Sequence, residues 1–190
     1  MSTSQGAARL SATARAWLLA RAREVIAHAA RQTQPAPAID VPAEVEAPAG
    51  CFVTLHRADG ELRGCIGTFE ASEPLRRVVE RMAVAAALED PRFAPLAPGE
   101  VDGCHLEISV LSPRRPIRPE EVVVGRHGLA IRRGMRRGVL LPQVATERGW
   151  DAPTFLAALC QKAGLPTDAW RAPDTELECF EAEVFGEAAG

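Results

Sequence analysis

Cys65 is the residue best placed for chemistry in this chain: it stands between glycines in Arg63-Gly64-Cys65-Ile66-Gly67, with a histidine, His56, a few residues upstream. A thiolate is both a nucleophile and a soft metal ligand, and cationic neighbours favour it over the thiol. Glycine weakens a strand, so two glycines around a thiol mark a point where another backbone or a ligand comes close. Cysteine is equally a small apolar filler of cores, and that reading stays open. Arg63 suits recognition of a carboxylate or phosphate; the alternative is a structural ion pair with Glu61, Glu70 or Glu107. In His105-x-Glu107 an imidazole and a carboxylate at alternate positions can act as an acid/base pair or supply two metal ligands. Two residues fall short of a metal site, and a half-exposed strand face accounts for them as well.

These groups need a sheet to hold them. Residues 52–57 and 62–68, rich in β-branched and aromatic side chains, flank Asp59-Gly60, a strong hairpin signal. A loop of two or four residues pairs His56 with Arg63, Leu55 with Gly64, Thr54 with Cys65 and Val53 with Ile66. Val53, Leu55, Leu62 and Ile66 then form a core face, and Thr54, His56, Arg63 and Cys65 a polar one. A three-residue loop would scramble that grouping. Residues 104–111 alternate, with Leu106, Ile108 and Val110 on one side and His105, Glu107, Ser109 and Leu111 on the other, and read as a half-buried strand.

Around this sheet the helical signals are clear. Between Ser11 and Gln32 the apolar residues Ala14, Trp17, Leu18, Ala22, Val25 and Ala29 recur at helical spacing. A connector follows that contains Pro35, Pro37, Pro42 and Pro48 and excludes regular helix. Ser72 suits an N-cap, with Pro74 in the first turn of a second helix that reaches Leu88 and ends at Asp90-Pro91. Asp151 caps another helix, with Pro153 in its first turn and Gly164 as its stop. Short strands are expected over 121–124, 129–131 and 139–141 around a Gly125-Arg126-His127-Gly128 turn, and a last strand over 176–185 with Phe180, Ala182 and Val184 on one face. Helices alternating with hairpin-like strands, without βαβ spacing, favour α+β: an antiparallel or mixed sheet flanked by helices, with a smaller β-rich lobe. The expected organisation is a single domain over residues 1–190, with a larger part over 8–111 and 146–186 and a smaller lobe over 112–145.

Composition excludes several classes. No apolar run approaches the roughly eighteen residues of a membrane span, and a net charge of −3 does not suggest a protein that coats nucleic acid. Arg132, Arg133, Arg136 and Arg137, aided by Arg114, Arg115 and Arg118, form a local basic cluster that could meet phosphates. Without interleaved aromatics it reads as a solvated hairpin tip. The five cysteines are dispersed and odd in number, which argues against a disulfide framework, a cysteine zinc site or an iron–sulfur cluster, and for a reducing, cytoplasmic setting. No phosphate-binding glycine loop, His-Glu-x-x-His or Gly-x-Ser-x-Gly occurs.

Leu62-Arg63-Gly64-Cys65-Ile66-Gly67-Thr68-Phe69 resembles the signature of the AMMECR domain family, whose bacterial members form the A component of the AmmeMemoRadiSam group. The likeness continues through Glu89-Asp90-Pro91-Arg92-Phe93, Leu106 to Leu111, Val124-Gly125-Arg126-His127-Gly128-Leu129, Leu140 to Val144 and Leu159 to Leu165, and so spans roughly residues 10–186. The resemblance singles out Glu107 and Ser109 more than His105, and His127 recurs in its motif. It implies an α+β fold and candidate partners of radical SAM and Memo type; it names no cofactor, no metal and no reaction. Two function classes follow. One is an enzyme or enzyme component acting on a small anionic or RNA-related substrate in a groove beside Cys65, with Arg63 as anion clamp, Glu107 as acid/base or orienting group, and Thr54, His56, Gly64, Gly67, Ser109 and His127 as candidate binding residues. The other is a non-catalytic binding or accessory module of an AmmeMemoRadiSam-type system.

Overall fold

Asp59-Gly60 turns the chain as its residue types require, with Gly60 at φ +85° and Asp59 Oδ1 accepting the Glu61 N–H at 3.0 Å. This computed structural model describes residues 9–187. Its elements run α1 (Ala12–Ala30), β1 (Cys51–Arg57), β2 (Leu62–Thr68), α2 (Leu75–Leu88), β3 (Cys104–Leu111), β4 (Arg115–Pro116), β5 (Gly128–Arg133), β6 (Arg136–Leu140), α3 (Pro142–Glu147), α4 (Ala152–Lys162), β7 (Glu176–Phe180) and β8 (Ala182–Gly186). Two four-stranded sheets result, ordered β2-β1-β3-β8 and β4-β7-β5-β6, and the fold is α+β.

The chain divides into two compact units, one reaching to Leu111 and rejoined from Glu183, the other Ser112–Ala182. In the first unit, α2 lies on β1 and β2 and α1 lies on α2. Val53, Leu55, Leu106 and Ile108 from the sheet meet Leu18, Ile26, Leu75, Val79 and Met82 from the helices in one core. Ser11 caps α1 by accepting the Ala14 N–H at 3.1 Å. Buried Arg21 holds the proline connector down, donating to the Ala36 carbonyl at 2.9 Å while pairing with Glu80 at 2.7 Å. Pro74 itself occupies the cap position of α2, so Ser72 does not cap it.

The second unit corrects the expected lobe of 112–145, which extends to Ala182. In its core Phe155, Leu156 and Leu159 of α4 cluster with Leu129 and Ile131 of β5 and their strand partners Cys179 and Leu177 of β7. The run over 176–185 is likewise two strands, because it breaks at Glu181: β7 pairs with β5 in one sheet, and β8 adds to β3 in the other. Residues 121–124 form no strand; a 3-10 turn, Pro119–Glu121, ends at the first of them.

Gly64 shows how tightly the first unit is closed, since a Cβ there would lie 2.1 Å from the Ala86 carbonyl oxygen of α2. Gly64→Ala is therefore expected to destabilise by about 1–3 kcal/mol or more through forced overpacking. Gly99→Ala, where an added methyl meets nothing within 4 Å, should stay within about 0.5 kcal/mol. Urea midpoints of the two variants check this, and equal midpoints would contradict the packing described.

Candidate functional site

The hairpin keeps its expected register for three pairs, Val53 with Ile66, Thr54 with Cys65 and Leu55 with Gly64, and then slips. His56 pairs with Leu62 instead of Arg63, leaving Arg63 as the extra residue of a β-bulge. A one-residue slip exchanges faces. Leu62 thereby joins the His56 side and is an exposed large apolar residue, whereas Arg63 is only 4% exposed. Its guanidinium binds Glu100 through Nε and Nη2, each at 3.2 Å, and Nη1 is buried without a partner. Arg63 is thus neither on the polar face nor an anion clamp: its buried guanidinium is committed to Glu100, a partly exposed partner other than the three the sequence suggested.

What remains on the polar face is a row across three strands, Cys65 of β2, Thr54 of β1 and Glu107 of β3, set by the pairings Thr54–Cys65 and Thr54–Glu107. All three are half-buried. Thr54 Oγ1 donates to Cys65 Sγ at 3.3 Å, which orients the sulfur. Neighbouring strands lie about 4.8 Å apart, so the Cα atoms of Cys65 and Glu107 are separated by roughly 10 Å. A molecule touching both must lie over Thr54. Next along the face, His56 opposes His105, and the His56 ring donates from Nδ1 to the Gly60 carbonyl at 3.2 Å. Ser109, opposite Phe52, is buried.

The two glycines turn out to serve packing. Gly64 admits the backbone of α2, as above. At Gly67 a Cβ would meet the Phe52 ring at 2.3 Å, and that ring stands edge-on to Phe69 with centroids 5.0 Å apart. The aromatic side chain fills the space that Gly67 leaves. His127 belongs to the second unit: its Nδ1 accepts the Val123 N–H at 3.2 Å, so the proton sits on Nε2, which is buried without a partner. Burial, helped by Arg115 and Arg126, lowers its pKa. It closes its own turn. A concave space of about 640 Å³ opens between α1, the connector and α2, bordered by Val25, Pro35, Met82 and Ile66 on the side of the sheet away from Cys65; its rim cations are already paired, Arg77 with Glu80 and Arg81 with Glu73.

Two residues of the family-like Glu89–Phe93 stretch, neither of them a site candidate on sequence, complete the surroundings of Cys65. Asp90, 4% exposed, accepts the Cys65 N–H on Oδ2 at 2.9 Å. Arg92 binds the same carboxylate through Nε at 2.9 Å and Nη2 at 2.6 Å, and Nη2 also reaches the Cys65 carbonyl at 3.3 Å. Asp90 and Arg92 thus take up both outward backbone groups of Cys65 on an edge strand. The Arg92 fork, with the Cys65 and Arg92 N–H groups, holds the Asp90 carboxyl well below the usual carboxylate range. The other four cysteines are buried, and burial pushes their thiols up, that of Cys51 to about 12. Cys65 alone is partly exposed. Among the described residues no cluster of three or more His, Cys, Asp or Glu could hold a metal ion, and no helix is long and apolar enough to cross a membrane.

The family model described as AMMECR1 matches residues 19–185. A protein of Thermococcus gammatolerans is 46% identical over 161 residues, covering 80% of this chain and 78% of the relative. One from Pyrococcus furiosus is 42% identical over 180 residues, covering 90% and 85%. The crystal structure of an uncharacterized protein from Pyrococcus horikoshii superposes with a TM-score of 0.78 at 40% identity, covering 90% of this chain and 92% of that one.

All five cysteines are free thiols, so denaturing alkylation is expected to modify five groups and brief native alkylation one, mapping to Cys65. Peptide mass mapping checks this, and native labelling of a buried cysteine before Cys65 would contradict the exposures given. Asp90 supplies a second expectation. Its folded pKa lies below an unfolded value near 3.9, so its stabilisation is complete above about pH 5 and lost as pH falls through the acid range. Asp90→Asn should lower stability near neutral pH by about 1.5–3 kcal/mol, the worth of hydrogen bonds to a charged group. Denaturation at descending pH should show the gap to wild type narrowing below about pH 4; a gap independent of pH would count against the assignment.

Proposed function

The chain belongs to the AMMECR1 family, and from that premise we propose that the half-open face around Cys65 is a thiol-centred site for a small anionic or RNA-related ligand, with the protein acting as an enzyme or enzyme component in the cytoplasm. The observation that carries this reading is the contrast among the cysteines: four are sealed in cores, while Cys65 stands half-exposed with a hydroxyl aimed at its sulfur. In this reading Cys65 is the reactive group of the site, its thiolate being the nucleophilic form. Thr54 holds the sulfur, and Glu107, on the far side of Thr54, takes or returns a proton on the bound molecule. The separation of roughly 10 Å between the end residues of the row fits a ligand of several heavy atoms lying across the strands.

A second reading has its own support. Gly64, Gly67 and Arg63, which on sequence looked like concessions to a ligand, are accounted for by packing. That favours a binding or accessory module of an AmmeMemoRadiSam-type system, presenting the same face to a radical SAM or Memo-type partner.

Cys65→Ser separates a site from mere filling. The serine hydroxyl keeps Thr54 as a partner on a half-exposed face, so thermal unfolding is expected within about 1 kcal/mol of wild type, while complementation of a strain lacking the protein is lost. Destabilisation beyond about 2 kcal/mol, as for an unpartnered hydroxyl placed in a core, would overturn the site reading.

A further inference from the structure

We propose that Arg92 is the anion anchor of the Cys65 face, selecting molecules that carry a carboxylate or phosphate next to the group presented to the thiol; this rests on the reading of Cys65 as a site. Arg63 cannot serve, being buried and committed to Glu100. Arg92 has what an anchor needs. Its Nε and Nη2 are fixed by Asp90 and by the carbonyl of Cys65 itself, so the guanidinium is tied at a set distance from the thiol-bearing residue and little rotamer freedom is lost when an anion binds. Its Cζ also lies 5.5 Å from the centroid of the Phe93 ring, a second restraint on its plane.

The pairing with Asp90 does not cancel its charge toward solvent. Both Asp90 oxygens face inward onto donors and that side chain is 2% exposed, whereas the Arg92 side chain is 54% exposed. The pair is a dipole whose positive end is outermost, and no described residue takes a hydrogen bond from Nη1. Both Nη2 hydrogens and the Nε hydrogen are thus committed, and the two N–H donors of Nη1 remain to make charge-assisted hydrogen bonds to a carboxylate or phosphate oxygen. The edge position matters too: Arg92 stands at the rim of the face beside β2, so a ligand anchored there reaches Cys65 first and Thr54 and Glu107 beyond.

Alkylation with two reagents of similar size and opposite demand tests this. Iodoacetate, an anion, and iodoacetamide, neutral, both react by forming an S–C bond to Cys65 as iodide leaves and the thiol proton passes to buffer. Rates are followed on the folded full chain by mass spectrometry and expressed as the ratio of the anionic to the neutral reagent. Arg92→Gln is expected to lower that ratio roughly fivefold, as loss of one nearby partly screened charge predicts, with Arg92→Lys retaining most of it. In wild type the iodoacetate rate should fall with added salt while the iodoacetamide rate holds, a readout that needs no variant to fold. A ratio unchanged in Arg92→Gln, or a wild-type iodoacetate rate indifferent to salt, overturns the anchor and leaves the Cys65 site standing. Absence of native labelling at Cys65 by either reagent overturns the site and the anchor together.

Discussion

The backbone N–H of Cys65 is the group on which the arrangement depends. β2 is the outermost strand of its sheet, and at Cys65 this donor turns away from β1. An outward amide must find an acceptor, and an uncovered edge invites another chain to pair with it. Asp90 meets both demands with one oxygen at 2.9 Å. For the carboxylate to arrive there, α2 must stop at Leu88 and the chain must turn at Pro91. Arg92 then neutralises the buried charge and closes over the Cys65 carbonyl. The end of a helix, the cover of a sheet edge and the rim of the thiol face are one construction.

Elements with short-range signals were legible in the sequence. Asp59-Gly60 placed the hairpin, alternation placed β3 to the residue, and helical spacing placed α1, α2 and α4. The bulge was not legible, because Leu62-Arg63 alternates in either register and what decides between them is Glu100, 37 positions away. The buried Arg63 guanidinium is balanced by this distant, partly exposed carboxylate, and no local pattern reveals that. The break at Glu181 was hidden for a similar reason. The run over 176–185 keeps its strand-forming character throughout, and only its different pairing partners, β5 for β7 and β3 for β8, divide it. Ser112 and Glu181 are joined there, the Ser112 N–H donating to the Glu181 carbonyl and the Glu181 N–H to Ser112 Oγ, each at 2.9 Å.

Of the candidate site, the pairing of Thr54 with Cys65 followed from the turn, and Glu107 followed from alternation. Asp90 was legible as the end of a helix and Arg92 as part of a family-like stretch, but neither as a partner of Cys65, since the acceptor of a strand-edge amide leaves no periodic trace. The glycines show how a correct local inference can carry the wrong cause. Each does mark a close approach, as a weakened strand implies. At Gly64 the approaching group is the Ala86 carbonyl and at Gly67 the Phe52 ring, so neither leaves room for a ligand.

Phe93 joins the inner and outer halves of this construction. The Arg63 guanidinium lies 5.9 Å from its ring centroid and that of Arg92 5.5 Å, one cation inside with Glu100 and the other outside with Asp90. A ring face attracts a cation by its quadrupole, more strongly where water is excluded, which helps to offset a buried Arg63 whose Nη1 lacks a partner. The bulge that buries Arg63 also sets where the outward groups of Cys65 fall, and hence where Arg92 must stand. An error of one residue in the hairpin would turn Cys65 into the core, taking Arg63 from Glu100 and the Cys65 N–H from Asp90. The chemistry available to the thiol is in this sense a property of the edge that carries it, and the edge is held by charges that the hairpin sequence alone does not contain.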